Sequence, residues 1–210
     1  MRQNDKALIH DPMNIIIAGV GGQGNILASQ LLGRILVEKG FEVVIGETYG
    51  ASQRGGSVMS HLRITNRGDH ISPIIPKGKA HVIIALEPAE ALRVMGEYGN
   101  PDIRVLSNTR PIHPVDVITG DLEYPDIQAL KKIITDHAEE ACFIDATDIA
   151  LRVKTPILVN IIMLGALAGW GVVPVTCDEF ERAIREHIPS KHLEKNIEAF
   201  REGMKVVGGV

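Results

Sequence analysis

The sequence predicts an α/β fold: a three-layer domain with a mostly parallel sheet, helices on both faces and a helical C-terminal third. Three observations carry that expectation. Apolar runs of strand length recur at Ile15-Ile16-Ile17-Ala18, Phe41–Glu47, Ala80–Leu86, Ile103–Asn108 and Ala141–Asp145. Segments with apolar residues at helical spacing separate several of them, the rhythm of a sheet covered on both sides. Beyond residue 155 the pattern is that of successive helices, broken at Gly169-Trp170-Gly171 and Pro174. The 210 residues, 45% hydrophobic and 23% charged, suffice for one sizeable core, so a single domain over 1–210 is expected.

The first strand runs into Gly19-Val20-Gly21-Gly22-Gln23-Gly24, and Asn25–Leu36 follows with helical periodicity. Gly19, Gly21 and Gly24 satisfy G-x-G-x-x-G, a pattern that turns the backbone tightly off a strand and aims free N–H groups at a phosphate. This is the Rossmann-like part of the reading. With Gly22 and Gln23, these glycines form the first candidate binding loop. Glu38-Lys39-Gly40 ends the helix, and the strand Phe41–Glu47 is expected to complete a βαβ unit. Glu47 then stands where a dinucleotide-binding unit keeps its ribose-binding acid.

A second loop, Tyr49-Gly50-Ala51-Ser52-Gln53-Arg54-Gly55-Gly56-Ser57, precedes the alternating segment Val58–Ile64, read as a half-exposed strand with Met59, His61 and Arg63 on its polar face. Ser52, Gln53, Arg54, Gly55, Gly56 and Ser57 are candidate ligand contacts, Arg54 as a two-pronged partner for phosphate or carboxylate. A tight connection with Arg54 paired to Glu47 is the alternative. His61 is the histidine to watch for proton transfer.

Farther on, Glu87-Pro88 starts a helix, with Glu87 either a ligand contact or an N-terminal cap. Asp145 and Asp148 read as helix caps rather than a metal pair. Thr155-Pro156 reads as a helix start. The helix Ile157–Ala168 is apolar nearly all round, too short for a bilayer, and is expected to turn one face to another subunit. Its Asn160 must find partners and is expected to tie the helix to a loop or a partner chain.

Composition narrows function. A net charge of -4 lacks the basic field that draws nucleic acid. Cys142 and Cys177 are the only cysteines, too far apart for a cluster or zinc site from this chain alone, and no metal is expected here. Met1–Met13 has no apolar stretch of signal-peptide type, so a cytoplasmic protein without a membrane segment is expected.

Gly-Val-Gly-Gly-Gln-Gly, then Tyr-Gly-Ala-Ser-Gln-Arg-Gly-Gly-Ser-Val and Ser-His-Leu-Arg, together resemble the gamma-type subunits of the 2-oxoacid:ferredoxin oxidoreductases. The Ser-Gln-Arg-Gly-Gly-Ser form is most similar to the indolepyruvate branch, where the subunit is called beta. The resemblance implies a partner in an enzyme that decarboxylates arylpyruvates oxidatively, yields an acyl-CoA and reduces ferredoxin. Thiamine diphosphate and the [4Fe-4S] clusters are then expected on a larger alpha subunit. Coenzyme A is the ligand that would suit the two loops, and self-association is an expectation for the isolated chain. A free-standing NAD-dependent dehydrogenase and a nucleotide- or coenzyme-A-binding regulatory module remain alternatives on the residues alone.

Overall fold

The computed structural model describes residues 8–50, 56–66, 68, 71–187 and 190–208. Among them, six strands form one sheet in the order β2-β3-β1-β4-β5-β6. These are β1 (Met13–Val20), β2 (Glu42–Tyr49), β3 (Ser57–Thr65), β4 (Val82–Ala85), β5 (Arg104–Asn108) and β6 (Glu140–Ile144). The strands β1, β4, β5 and β6 run parallel, whereas β3 pairs antiparallel with both β1 and β2.

The helices are α1 (Asn25–Glu38), α2 (Pro88–Tyr98), α3 (Val115–Thr119), α4 (Ile127–His137), α5 (Ala146–Arg152), α6 (Val159–Trp170), α7 (Cys177–His187) and α8 (Ser190–Gly208). Two cores separate them. Ile15, Ile17, Leu62 and Ile84 pack with α1, α5, α6, α7 and α8 on one face of the sheet. Ile16, Ala18, Ile83 and Val105 pack with α2 and α4 on the other. The central strand β1 alternates its side chains into both, and each such buried side chain contributes about 1.5–3 kcal/mol. Among the described residues no helix is long and apolar enough to cross a membrane.

Three expectations need correction. The unit β1–α1–β2 is not a neighbouring βαβ unit, because β3 lies between the two parallel strands. The short 50–56 connection makes β2 and β3 an antiparallel pair, with β3 in the inner place. Consequently β3 is buried on both faces, and His61 is fully enclosed rather than facing solvent. The third concerns α6, whose residues Asn160–Ala168 are all buried by the chain itself. Glycines let α8 lie directly on it: a Cβ on Gly165 would stand 2.0 Å from Phe200 O, and one on Gly203 would stand 2.0 Å from Ile162 O. The stacked rings of Phe180 and Phe200, 3.7 Å apart, fill the same layer. The helix start at Thr155-Pro156 is a 3-10 turn, Pro156–Leu158, with α6 proper beginning at Val159.

Candidate functional site

Helix α1 follows β1 onto one face of the sheet, and α2 follows β4 onto the other. The carboxyl ends of these adjacent parallel strands therefore form a topological switch point, the place where open α/β sheets bind ligands. The first glycine loop lies there. Gly24 is the N-terminal boundary of α1 at φ +81°, and a Cβ on it would meet Asn160 Nδ2 at 2.6 Å. Gly22 has φ +104° with open space around it, so glycine serves a backbone conformation there.

Much of this loop is braced by the protein. The Gln23 amide accepts from Val20 N at 2.7 Å and donates to Leu86 O at 2.9 Å, spanning the switch point from β1 to the end of β4. Asn25 Nδ2 donates to Val58 O at 3.0 Å, and Asn160 Nδ2 donates to Gly24 O at 3.2 Å. The expected tie from Asn160 to a loop is thus made to the glycine loop itself. Gly21 N donates to Gly56 O at 2.9 Å, which extends the β1–β3 pairing and joins the first loop to the base of the second.

What is left unbraced is the start of α1. Helix α1 has no side-chain cap, and the backbone N–H groups of Gly22, Gly24, Asn25, Ile26 and Leu27 have no partner among the described residues. Such N–H groups, reinforced by the helix dipole, favour phosphate or carboxylate. Helix α2 differs: its N-terminus is already capped by Glu87, whose Oε2 accepts from Glu90 N at 3.0 Å. The carboxylate of Glu87 is 2% exposed, and its Oε1 accepts from Tyr124 Oη–H and from Ile112 N at 3.4 Å. Burial, with this bond to Glu87 behind it, pushes the Tyr124 phenol far above its ordinary value.

The structure sorts the sequence-predicted residues. Gly19, Gly21, Gly22, Gln23, Gly24, Gly56 and Ser57 come together at the switch point, with Gln23 spent on the brace. Ser57 Oγ donates to the Glu90 carboxylate, 2.6 Å from each oxygen, and Arg93 Nη2 pairs with Glu90 Oε2 at 2.6 Å. Glu47 is not part of the group: it stands on β2, two strands from β1, and accepts from the Tyr49 hydroxyl. At about 4.8 Å per strand, that is twice the separation of the dinucleotide arrangement. Ser52, Gln53, Arg54 and Gly55 lie outside the described residues. His61 pairs with Gly46 and Ile16 in the body of the sheet, four residues beyond Ser57 and about 13 Å along the strand. Both its ring nitrogens are buried without a hydrogen-bond partner, and burial lowers its pKa. That placement removes it from proton transfer at the loops. Asp145 caps α5, Oδ1 accepting from Asp148 N at 2.8 Å. Among the described residues no group of three or more His, Cys, Asp or Glu could hold a metal ion.

The family signature described as pyruvate ferredoxin/flavodoxin oxidoreductase matches residues 14–206. The chain belongs to that family. It is similar to the indolepyruvate oxidoreductase subunit IorB of Archaeoglobus fulgidus, 38% identical over 91% of this chain and 93% of the relative. The same subunit of Thermococcus kodakarensis is 37% identical over 91% and 94%. Among solved structures, pyruvate oxidoreductase subunit PORC of Thermotoga maritima superposes with a TM-score of 0.68 at 24% identity, covering 93% of this chain and 97% of that one. A 2-oxoglutarate:ferredoxin oxidoreductase of Magnetococcus marinus gives a TM-score of 0.73 at 19% identity, covering 96% of this chain and only 32% of that one. The family's α/β fold is therefore the fold observed.

Sequence reasoning missed how far the candidate site is held by amides. Asn25, Asn108 and Asn160 are buried polar residues at 3%, 1% and 3% exposure, and each bonds backbone at the carboxyl edge of the sheet. An asparagine inside an otherwise apolar helix signalled Asn160; nothing in the pattern around Asn108 distinguished it from an ordinary strand end.

Proposed function

We propose that this chain is the small subunit of an indolepyruvate, or more broadly arylpyruvate, oxidoreductase, that it acts in the cytoplasm with a larger alpha subunit, and that it helps to hold coenzyme A. The identity to two IorB subunits over more than nine-tenths of both chains carries the reading. In this proposal thiamine diphosphate and the iron–sulfur clusters belong to the larger subunit and supply decarboxylation of the 2-oxoacid and passage of its electrons to ferredoxin. Residues of this chain bind and orient the acceptor of the acyl group.

The uncapped start of α1 supports that role. Gly22, Gly24, Asn25, Ile26 and Leu27 present N–H groups to one phosphate, while Gln23 and Asn160 keep the cradle from relaxing. Arg54 would add a charged contact from the second loop, whose base is pinned to the first through Gly21 and Gly56. The Magnetococcus marinus relative, of similar fold, is described with coenzyme A and succinyl-CoA bound. The NAD reading fares worse, because the strand that takes the place of β2 beside β1 is the antiparallel β3, which presents its first residue, Ser57, and not an acid at the glycine-loop edge.

The test joins the purified chain to its thiamine-binding partner and follows coenzyme-A-dependent oxidation of indolepyruvate with a ferredoxin-type acceptor. Arg54→Ala should weaken coenzyme A binding by about 1.5–3 kcal/mol, the usual contribution of a hydrogen bond to a charged group. No activity with any partner, together with a melting temperature that rises with NAD and not with coenzyme A, would overturn the reading.

A further inference from the structure

The connection from β5 to α4, residues 109–126, carries the short helix α3 between two irregular stretches. It leaves the carboxyl edge of the sheet beside the switch point and is firmly built. Ile112 N and the Tyr124 hydroxyl both donate to the buried Glu87 carboxylate, and Ala89 N donates to Tyr124 Oη at 3.2 Å. Inside the arm, Asp121 N and Leu122 N donate to Asp116 O at 2.9 and 3.0 Å, while Thr119 Oγ1 donates to Asp121 Oδ2 at 2.6 Å. Helix α3, at its centre, buries none of its residues.

The apolar side chains of this ordered arm face outward. Ile112, Val115, Ile118 and Leu122 are 40%, 71%, 73% and 61% exposed. An ordered segment that turns four aliphatic residues to solvent gains nothing from them in isolation, and such patches mark interaction surfaces. The charge around them selects the partner. Over residues 109–126 the chain carries Asp116, Asp121, Glu123 and Asp126 against a single cation, Arg110. Two copies of the arm laid face to face would bring like charges together, so the surface suits an apolar patch rimmed by Lys or Arg on a different chain.

We propose that the 112–124 arm is the docking element for the larger subunit, and that Glu87 is the positioning residue that holds the arm in its docking pose. The proposal rests on the subunit reading above.

The experiment measures binding of the full-length chain to the purified thiamine-binding subunit by titration calorimetry, with sedimentation of the small chain alone alongside. Val115→Ser with Ile118→Ser should weaken binding by roughly tenfold or more, the loss typical when central apolar anchors are truncated. The melting temperature of the small chain should not move, since both side chains are solvent-facing. Tyr124→Phe, which removes one donor to Glu87, should raise amide exchange in residues 110–124 and weaken binding less. Affinity of the double variant within twofold of the parent, or an isolated chain that dimerises through Val115 and Ile118, would overturn the docking proposal while leaving the subunit reading intact. A parent chain that binds no thiamine-binding partner would overturn both.

Discussion

Gly165→Ala tests the close contact of α6 with α8. A methyl group there would lie 2.0 Å from Phe200 O on α8, against a comfortable carbon–oxygen contact of about 3.3 Å. Helices α6 and α8 would have to separate by about 1.3 Å. They cannot slide instead, because a Cβ on Gly203 would stand equally close to Ile162 O and one on Gly169 would stand 2.5 Å from Met204 O, so α6 and α8 are in close contact along their length. Overpacking of this kind costs about 1–3 kcal/mol and sometimes more, and the rigid backbone on both sides places this substitution near ~3 kcal/mol. In a chain of this size that lowers Tm by roughly 6–12 °C. Gly96→Ala supplies the control. Gly96 also lies within a helix, but its Cβ position has nothing within 4 Å, so alanine should stabilise by about 0.5–1 kcal/mol. Thermal and urea unfolding of the two variants decides the matter. If Gly165→Ala melts with the parent, or Gly96→Ala loses as much as Gly165→Ala, helix contact through glycine is not what holds the C-terminal third.

Two histidines give further expectations. His81 Nδ1 accepts from Asn14 N at 2.9 Å, so the ring is the neutral Nε2–H tautomer; burial, then the stacked His10 and the Lys79 charge, lower its pKa to about 4. The unfolded chain therefore binds the proton first, and stability should fall as pH drops from about 6.5 towards 4. His81→Asn, which can still accept from Asn14, should flatten that slope in urea melts at pH 4.5 and 7, and an unchanged slope would assign it elsewhere. His61→Phe should keep the edge contact to Tyr98, now 5.2 Å between ring centroids, and remove two buried unpaired nitrogens. A gain of about 1 kcal/mol is expected in the same assay, and a loss would mean that the ring nitrogens are satisfied by bound water.

Local pattern revealed the elements because local physics makes them. Glycines after an apolar run, Pro88 behind Glu87 and the acid at Asp145 each act within a few residues, and the predicted loop, cap and helix starts appear where expected. Strand order depends on which surfaces pair across long stretches of chain. The neighbour of β1 was misassigned for that reason: the sequence shows an α1 crossover to β2 but not the antiparallel return of β3 between them. His61 followed the same error, since alternation in β3 reads as one polar face when both faces are covered. The clamp of the 109–126 arm on Glu87 joins residues too distant in sequence to leave a periodic signal.

By itself, then, the sequence determined the α/β class, the glycine loop between the first strand and its helix, and the family to which the loops belong, because those are short-range patterns of residue type. The tertiary structure decided which of the candidate residues share a site. Gln23 became a brace, Glu47 was set two strands away and Asn160 was brought from α6 to Gly24, because hydrogen bonding and burial act between residues that only the completed fold makes neighbours.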